Sequence, residues 1–198
     1  MAAEMLSPKA LLDGAIALAR LSSWEAFSLQ QLADSLNCGL SDIHRHFRSK
    51  DDIAEALFDG ADRAMLAYAD TQAAKVGSEQ ERTLNCIMRW FHYLAPYKAV
   101  VRDIMAYKLE PGHFHLQAHG VTRVSRTVQW FREAAGRQQQ GLAKVADEIA
   151  LTSAYLASFY CFLSDNSADN AKTRSLLRSL LKRIHAGHGF FSRPGRAI

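Results

Sequence analysis

The stretch on which the reading of this chain turns is QLADSLNCGLSDIHRHFRSKDDI, residues 31–53. A short run with Leu32, Ala33 and Leu36 on one side breaks at Asn37-Cys38-Gly39. A second short run then carries Ile43 and Phe47 four residues apart. Apolar residues at that spacing share one face of a helix, so each run has an inner side. Asn37 tolerates the left-handed backbone of a sharp helix end, Cys38 is small enough to fill a turn, and Gly39 can cap the second run. The predicted unit is helix, short turn, helix, the form in which many proteins address a DNA groove. With Ile43 and Phe47 inward, Ser41, Asp42, Arg45 and Arg48 point outward, flanked by His44 and His46. Short hydrogen-bonding groups set among cations suit a helix that enters a major groove. A helical hairpin whose polar side is merely solvated is the plainer alternative.

On both sides of this stretch the same periodicity continues, and β patterns are almost absent. Ser7-Pro8 opens a first helix with Leu11, Leu12, Ala15, Ile16, Leu18 and Ala19 as its stripe; Trp24 and Phe27 anchor the connection, and Ser28 caps the second helix. Ser49 caps a fourth helix, with Asp51 and Asp52 where the helix dipole is positive, and that helix is expected to run to about Val76. Further helices are expected over 79–94, 97–109, 114–135, 142–163 and 171–185, punctuated by Pro96, Pro111-Gly112, the loop 136–141 and the turn 164–170. The expected architecture is all-α, with about nine helices. Residues 1–52 are expected to hold three helices including the helix-turn-helix, residues 53–187 the remaining helices, and residues 188–198 a flexible tail.

The 198 residues are 48% hydrophobic, enough to bury a core, and the formal net charge is +4. The charge is unevenly placed. Residues 1–63 hold six Lys and Arg against ten Asp and Glu, whereas residues 171–198 hold seven cations and no acid. Global basicity therefore does not argue for nucleic acid; only local placement does. The cationic end reads most simply as the solvated side of a helix whose apolar side is Leu176, Leu180 and Ile184. The start, MAAEMLSPKA, lacks the features of a secretory leader, and no apolar stretch reaches membrane-spanning length. Cys38, Cys86 and Cys161 are odd in number and form no CxxC, which fits a reducing cytoplasm. His113, His115 and His119 make an H-x-H-x3-H pattern that only Glu110 could complete, so no metal is expected. No phosphate loop, G-x-S-x-G or H-E-x-x-H is present; no cofactor and no enzyme activity are expected.

The N-terminal residues resemble the DNA-binding domain of TetR-family transcriptional regulators. The resemblance is carried by LLDGAIALA and by WEAFSLQQLADSLNCGLSDIHRHFRSKDDIAEALF, above all by Ile43, His46, Phe47, Ser49, Lys50, Asp51 and Ile53. It implies base contacts from Leu40, Ser41, Asp42, His44 and Arg45, and phosphate contacts from Ser28, Gln30, His46 and Lys50. Asn37 stands where the family usually has glycine, His44 where it has tyrosine, and Leu40 where a polar residue is common. Asp42 either accepts from a cytosine or pairs with Arg45 one turn on and reads nothing.

The resemblance also implies that residues 1–52 are a DNA-binding domain and residues 53–187 a helical effector-binding and dimerisation domain. Trp90, Tyr93, Tyr97, Met105, Trp130, Tyr155 and Phe159 are the residues expected to line an effector pocket; simple core packing is the competing account. Ile149, Ser153, Leu156 and Tyr160 on one helix, and Leu177, Leu181 and Ile184 on the next, are expected at the homodimer interface. The expected partners are double-stranded operator DNA, a small effector and a second copy of the chain, with no membrane. The function so implied is a homodimeric repressor released from a palindromic operator by an apolar or amphipathic effector. WFHYLAPYKAVVRDIM and the later aromatic helices also faintly resemble the TetR-fold lipid-binding protein of coenzyme Q biosynthesis, which makes lipid binding without DNA the second reading.

Overall fold

The computed structural model describes residues 6–109 and 114–191, without side chains at 109, 114–119 and 188–191. Among the described residues the nine α-helices are α1 (Pro8–Leu21), α2 (Leu29–Ser35), α3 (Leu40–His44), α4 (Lys50–Ala69), α5 (Glu79–Leu94), α6 (Lys98–Leu109), α7 (Phe114–Ala135), α8 (Gly141–Ser164) and α9 (Ala171–Phe191). There is no strand among the described residues. The all-α expectation holds. The chain packs as two compact units, one of residues 1–61 and 94–118, the other of 62–93 and 119–198.

In the first unit α1 starts as its sequence dictates: Ser7 Oγ accepts the Ala10 amide at 3.1 Å and Pro8 occupies the first helical position. Its stripe of Leu11, Leu12, Ala15, Ile16 and Ala19 is buried with Leu32, Ala33, Trp24 and Phe27. Gly14 lets α1 approach α2: a Cβ there would lie 3.0 Å from Leu32 Cδ1 and 3.1 Å from Leu36 Cδ1. α6 is tied to the same body by polar contacts. The Asp103 carboxylate accepts the Trp24 amide, and an Arg20 Nη donates to the Pro96 carbonyl at 2.9 Å. Buried Lys108 sits between Asp51 and Glu55 on α4, with Glu55 Oε1 at 2.7 Å. Burial alone lowers the Lys108 pKa, but the two carboxylates outweigh it and hold the ammonium above its ordinary value.

The second unit is built around aromatic rings. Trp90 makes edge contacts to Phe91, Phe131, Tyr155 and Phe159 with centroids 5.5–6.4 Å apart, and Phe91 stacks on Phe162 at 5.0 Å. Two buried carboxylates pin the helices that carry these rings. Asp62 accepts from Trp90 Nε1 at 2.8 Å, an Arg123 Nη at 2.8 Å and Thr127 Oγ1 at 3.2 Å. Asp147, on α8, takes Arg132 and Arg137 from the end of α7 and the loop after it. Burial pushes the Tyr155 phenol far above its ordinary pKa and the Cys86 thiol up to about 11, so neither ionises near neutrality.

Three helix ends differ from the expected ones. α4 stops at Ala69, well short of Val76, because Thr71 intervenes: its Oγ1 donates to the Tyr68 carbonyl and accepts the Ala74 amide, starting a 3₁₀ turn over Gln72–Lys75. α3 is regular only to His44, although the Phe47 amide still donates to the Ile43 carbonyl at 2.9 Å and keeps Phe47 on the inner side. α9 continues past His185 to Phe191, through part of the expected tail; residues 192–198 lie outside the described residues.

The α8–α9 turn holds two consecutive left-handed residues, Asp169 (φ 50°) and Asn170 (φ 53°). Asp165 holds the turn by accepting the amides of Ser167 and Thr173 and both their hydroxyls. Burial raises the Asp165 pKa, but these hydrogen bonds outweigh it and keep the carboxyl well below the usual carboxylate range. A depressed folded-state pKa stabilises the fold above the ordinary value of 3.8, and that contribution fades as pH falls below it. Asp165→Asn is therefore expected to lower the unfolding midpoint at neutral pH. The gap between the two proteins should narrow in melts run at successively lower pH beneath 3.8.

Candidate nucleic-acid interface

The reading head is assembled from local rules. Ser28 Oγ accepts the Gln31 amide at 3.1 Å while Gln31 Oε1 accepts the Ser28 amide at 2.8 Å, a reciprocal cap that starts α2. α2 ends as the sequence predicts. Asn37 is left-handed (φ 49°), its amide reaches the Asp34 carbonyl, and the Cys38 amide reaches the Ala33 carbonyl at 3.0 Å. This pairing closes the helix and aims the chain into the turn. At the start of α3, Asp42 Oδ2 accepts the Gly39 amide at 2.9 Å, so the carboxylate caps its own helix.

The surface around α3 is open. Ile43 and Phe47 are buried, whereas Ser41, His44, Arg45 and His46 are exposed and Asp42 is half-buried. The Arg45 side chain is 73% exposed and Leu40 is 49% exposed. Arg45 pairs with Asp42 across one turn at 3.2 Å. Of the two fates open to Asp42, the described contacts are the internal ones: it caps α3 and steers Arg45. Ser28 and Gln30 are exposed too, with Ser28 engaged in its cap and Gln30 Nε2 donating to Asp34 Oδ1 at 2.8 Å.

Lys50 makes contacts that spacing did not reveal. Its Nζ donates to the carbonyls of Glu25 at 3.0 Å and Phe27 at 2.8 Å, and lies 4.6 Å from the Phe27 ring centre. Burial lowers its pKa, offset in part by Glu25 and Asp103. The ammonium thus holds the connection before α2 against the start of α4, leaving at most part of its donor capacity for a phosphate.

The residues expected around an effector are dispersed. Trp90, Tyr155 and Phe159 lie in the aromatic core of the second unit, and Tyr97 and Met105 belong to the first unit. Tyr93 lines a groove between α4 and α5, and half-exposed Trp130 lines a separate polar hollow with Arg126, Gln129 and Lys144. At the expected dimer seam, Ile149 is 63%, Leu156 43% and Tyr160 80% exposed on α8, and Ser153 is exposed beside them. Leu142 and Val145 extend that stripe, a signal the spacing contained and the expectation omitted. Leu177 and Leu181 are buried inside the single chain, where α9 packs on α8, and Ile184 is half-buried. Those two leucines have no surface left to give a partner. His113 and the side chains of His115 and His119 lie outside the described residues; among the described residues no cluster is placed to hold a metal ion.

Comparison with known proteins agrees with this geometry. The family of bacterial regulatory proteins called tetR matches residues 11–57. The crystal structure of a TetR transcriptional regulator from Nitrosomonas europaea superposes with a TM-score of 0.80 at 37% identity, covering 90% of this chain and 98% of that one. A TetR transcriptional regulator from Rhodococcus sp. RHA1 shares the fold (TM-score 0.65, 18% identity, 88% and 92% covered). No curated protein matches the sequence. In class, the protein is a helix-turn-helix, DNA-binding transcriptional regulator. The chain belongs to the TetR family. That family consists of regulators rather than enzymes, and no described helix is long and apolar enough to cross a membrane.

Proposed function

We propose that the protein is a homodimeric repressor that leaves a palindromic operator when a small amphipathic effector binds. The observation that carries the DNA side of this reading is the exposed face of Ser41, His44 and Arg45, anchored from behind by Ile43 and Phe47. Such a face is sterically free to enter a major groove, with base edges met by Leu40, Ser41, His44 and Arg45 and phosphates by Ser28, Gln30, His46 and Lys50. The α8 stripe of Ile149, Leu156 and Tyr160 supports pairing with a second copy, because so contiguous an apolar face is costly to leave in water. Release follows if the effector prefers the state whose two reading heads are badly spaced; α4, continuous from Lys50 to Ala69, is the element that would carry the change. The expected division of labour, with residues 1–52 reading DNA and 53–187 sensing and dimerising, belongs to this proposal. Lipid binding without DNA, the second reading, draws no support from the tightly packed ring cluster of Trp90, Tyr155 and Phe159.

Selection of bound fragments from the source genome by purified protein, followed by a salt titration, tests it. A folded protein with no salt-sensitive DNA affinity overturns it. Two variants should separate on the selected operator. Arg45→Ala is expected to melt like the parent and to lose preference at one base position by about 1–3 kcal/mol. Lys50→Ala is expected to weaken all sequences alike, and also to lower the melting temperature, because the carbonyls of Glu25 and Phe27 lose their donor.

A further inference from the structure

Within the second unit, α4 and α5 leave a trough between them. Ala64, Ala67 and Tyr68 share a face of α4 through i, i+3, i+4 spacing, and Arg89, His92 and Tyr93 do the same on α5; together they line a groove of about 430 Å³. The alanines explain why it is open. At ordinary helix separations larger side chains interdigitate to fill the seam, and a methyl group does not. The Arg89 guanidinium lies 5.2 Å over the Tyr68 ring and so spans from α5 to α4. On the same α5 face, His92 Nε2 is buried without a hydrogen-bond partner among the described residues. A buried imidazole nitrogen in that condition calls for an explanation, and a ligand group in the adjoining groove supplies one.

We propose that this groove binds a small aromatic monocarboxylate, its carboxylate held by Arg89 and by His92 once the imidazole turns Nε2 out to the groove wall, and its ring between Tyr68 and Tyr93 over the alanine floor. The chemistry of the lining selects this class. One guanidinium and one imidazole N–H match a single negative charge, and among the described residues no lysine or second arginine lines the groove to neutralise a phosphate dianion. A neutral apolar ligand would strip water from Arg89 and leave His92 Nε2 without a partner. An amine would meet the guanidinium as a like charge. The groove is distinct from the aromatic core in which Trp90, Tyr155 and Phe159 are packed. Any effect of the ligand on operator affinity, carried by α4, rests on the repressor reading above; binding itself does not.

The test is calorimetry on the full chain with 1-naphthoate as probe, 1-naphthamide as its neutral counterpart, and imidazole NMR to observe His92. The expected result is one naphthoate per chain, naphthamide at least about tenfold weaker, and a shift of the His92 resonances. Arg89→Gln should weaken naphthoate by about tenfold or more. Ala67→Trp, at an exposed position that tolerates bulk, should abolish binding with the melting temperature unchanged. Equal binding of acid and amide, binding that survives both variants, or no heat at millimolar naphthoate with folded protein overturns the proposal. Operator binding is measured on the same sample without probe. Operator affinity with no naphthoate binding removes the groove alone, whereas naphthoate binding with no operator affinity removes the repressor reading and leaves the groove standing.

Discussion

A chain carrying Ile149→Asp and Tyr160→Asp is expected to sediment as a monomer and to lose roughly 100-fold or more in affinity for a palindromic operator, the scale of avidity when two linked heads act together. Both positions are among the most exposed apolar ones on α8, so the fold of the single chain has no stake in them. The lone chain should keep its helical circular dichroism and its melting cooperativity. Each reading head should retain its intrinsic contacts, but a half-site bound alone gains nothing from its twin. The controls are Leu177→Ala and Leu181→Ala. These leucines are buried inside the chain, so their truncation should cost stability, by about 2–5 kcal/mol each, before it touches association. Sedimentation and operator titration of the four proteins separate the seam from the core. A double aspartate variant that remains a dimer would place the interface elsewhere.

Asp62→Ala is the second change with a large expected effect. The Asp62 carboxylate is buried and takes hydrogen bonds from Trp90, Arg123 and Thr127, which come from two different helices. Removing it strips the buried Arg123 guanidinium of its carboxylate in a low-dielectric interior, a class of change that costs about 3–5 kcal/mol. For a chain of this size that corresponds to a fall of roughly 10 °C in the melting midpoint. Asp62→Asn keeps the acceptor for Trp90 and Thr127 but not the charge, and should fall between the parent and the alanine variant. The three thermal melts, followed by circular dichroism and by Trp fluorescence, check the order. An alanine variant that melts with the parent would mean that the ion pair contributes nothing net, as some buried pairs do.

Much of the reading head was legible because its causes are local. Ser28, Asn37, Cys38, Ile43 and Phe47 interact with residues within five positions of themselves and behave as their spacing predicts; the answering contact from Gln31 is equally local. The missed features involve partners far along the chain. The resemblance implies a phosphate contact for Lys50, but no local spacing shows that its ammonium also reaches carbonyls 25 and 23 residues earlier. The resemblance implies an effector pocket among the aromatics, but their composition is the same for a lined cavity and a filled core. Packing separated them, sending Trp90 and Tyr155 to the core, Tyr93 to a groove and Tyr97 to the other unit.

By itself, then, the sequence determined where helices start, that no strand forms among the described residues, and which side of each helix is apolar, because caps and 3.6-residue periodicity act over a few residues; the ends of α3, α4 and α9 it did not place. Only the tertiary structure decided what covers each apolar side. An amphipathic stripe states that something must lie against it and is silent on what: for Leu177 and Leu181 the answer is α8 of the same chain, whereas Ile149 and Tyr160 remain open. Burial is a property of the neighbours a residue acquires, and those neighbours are set by the packing of elements distant in sequence.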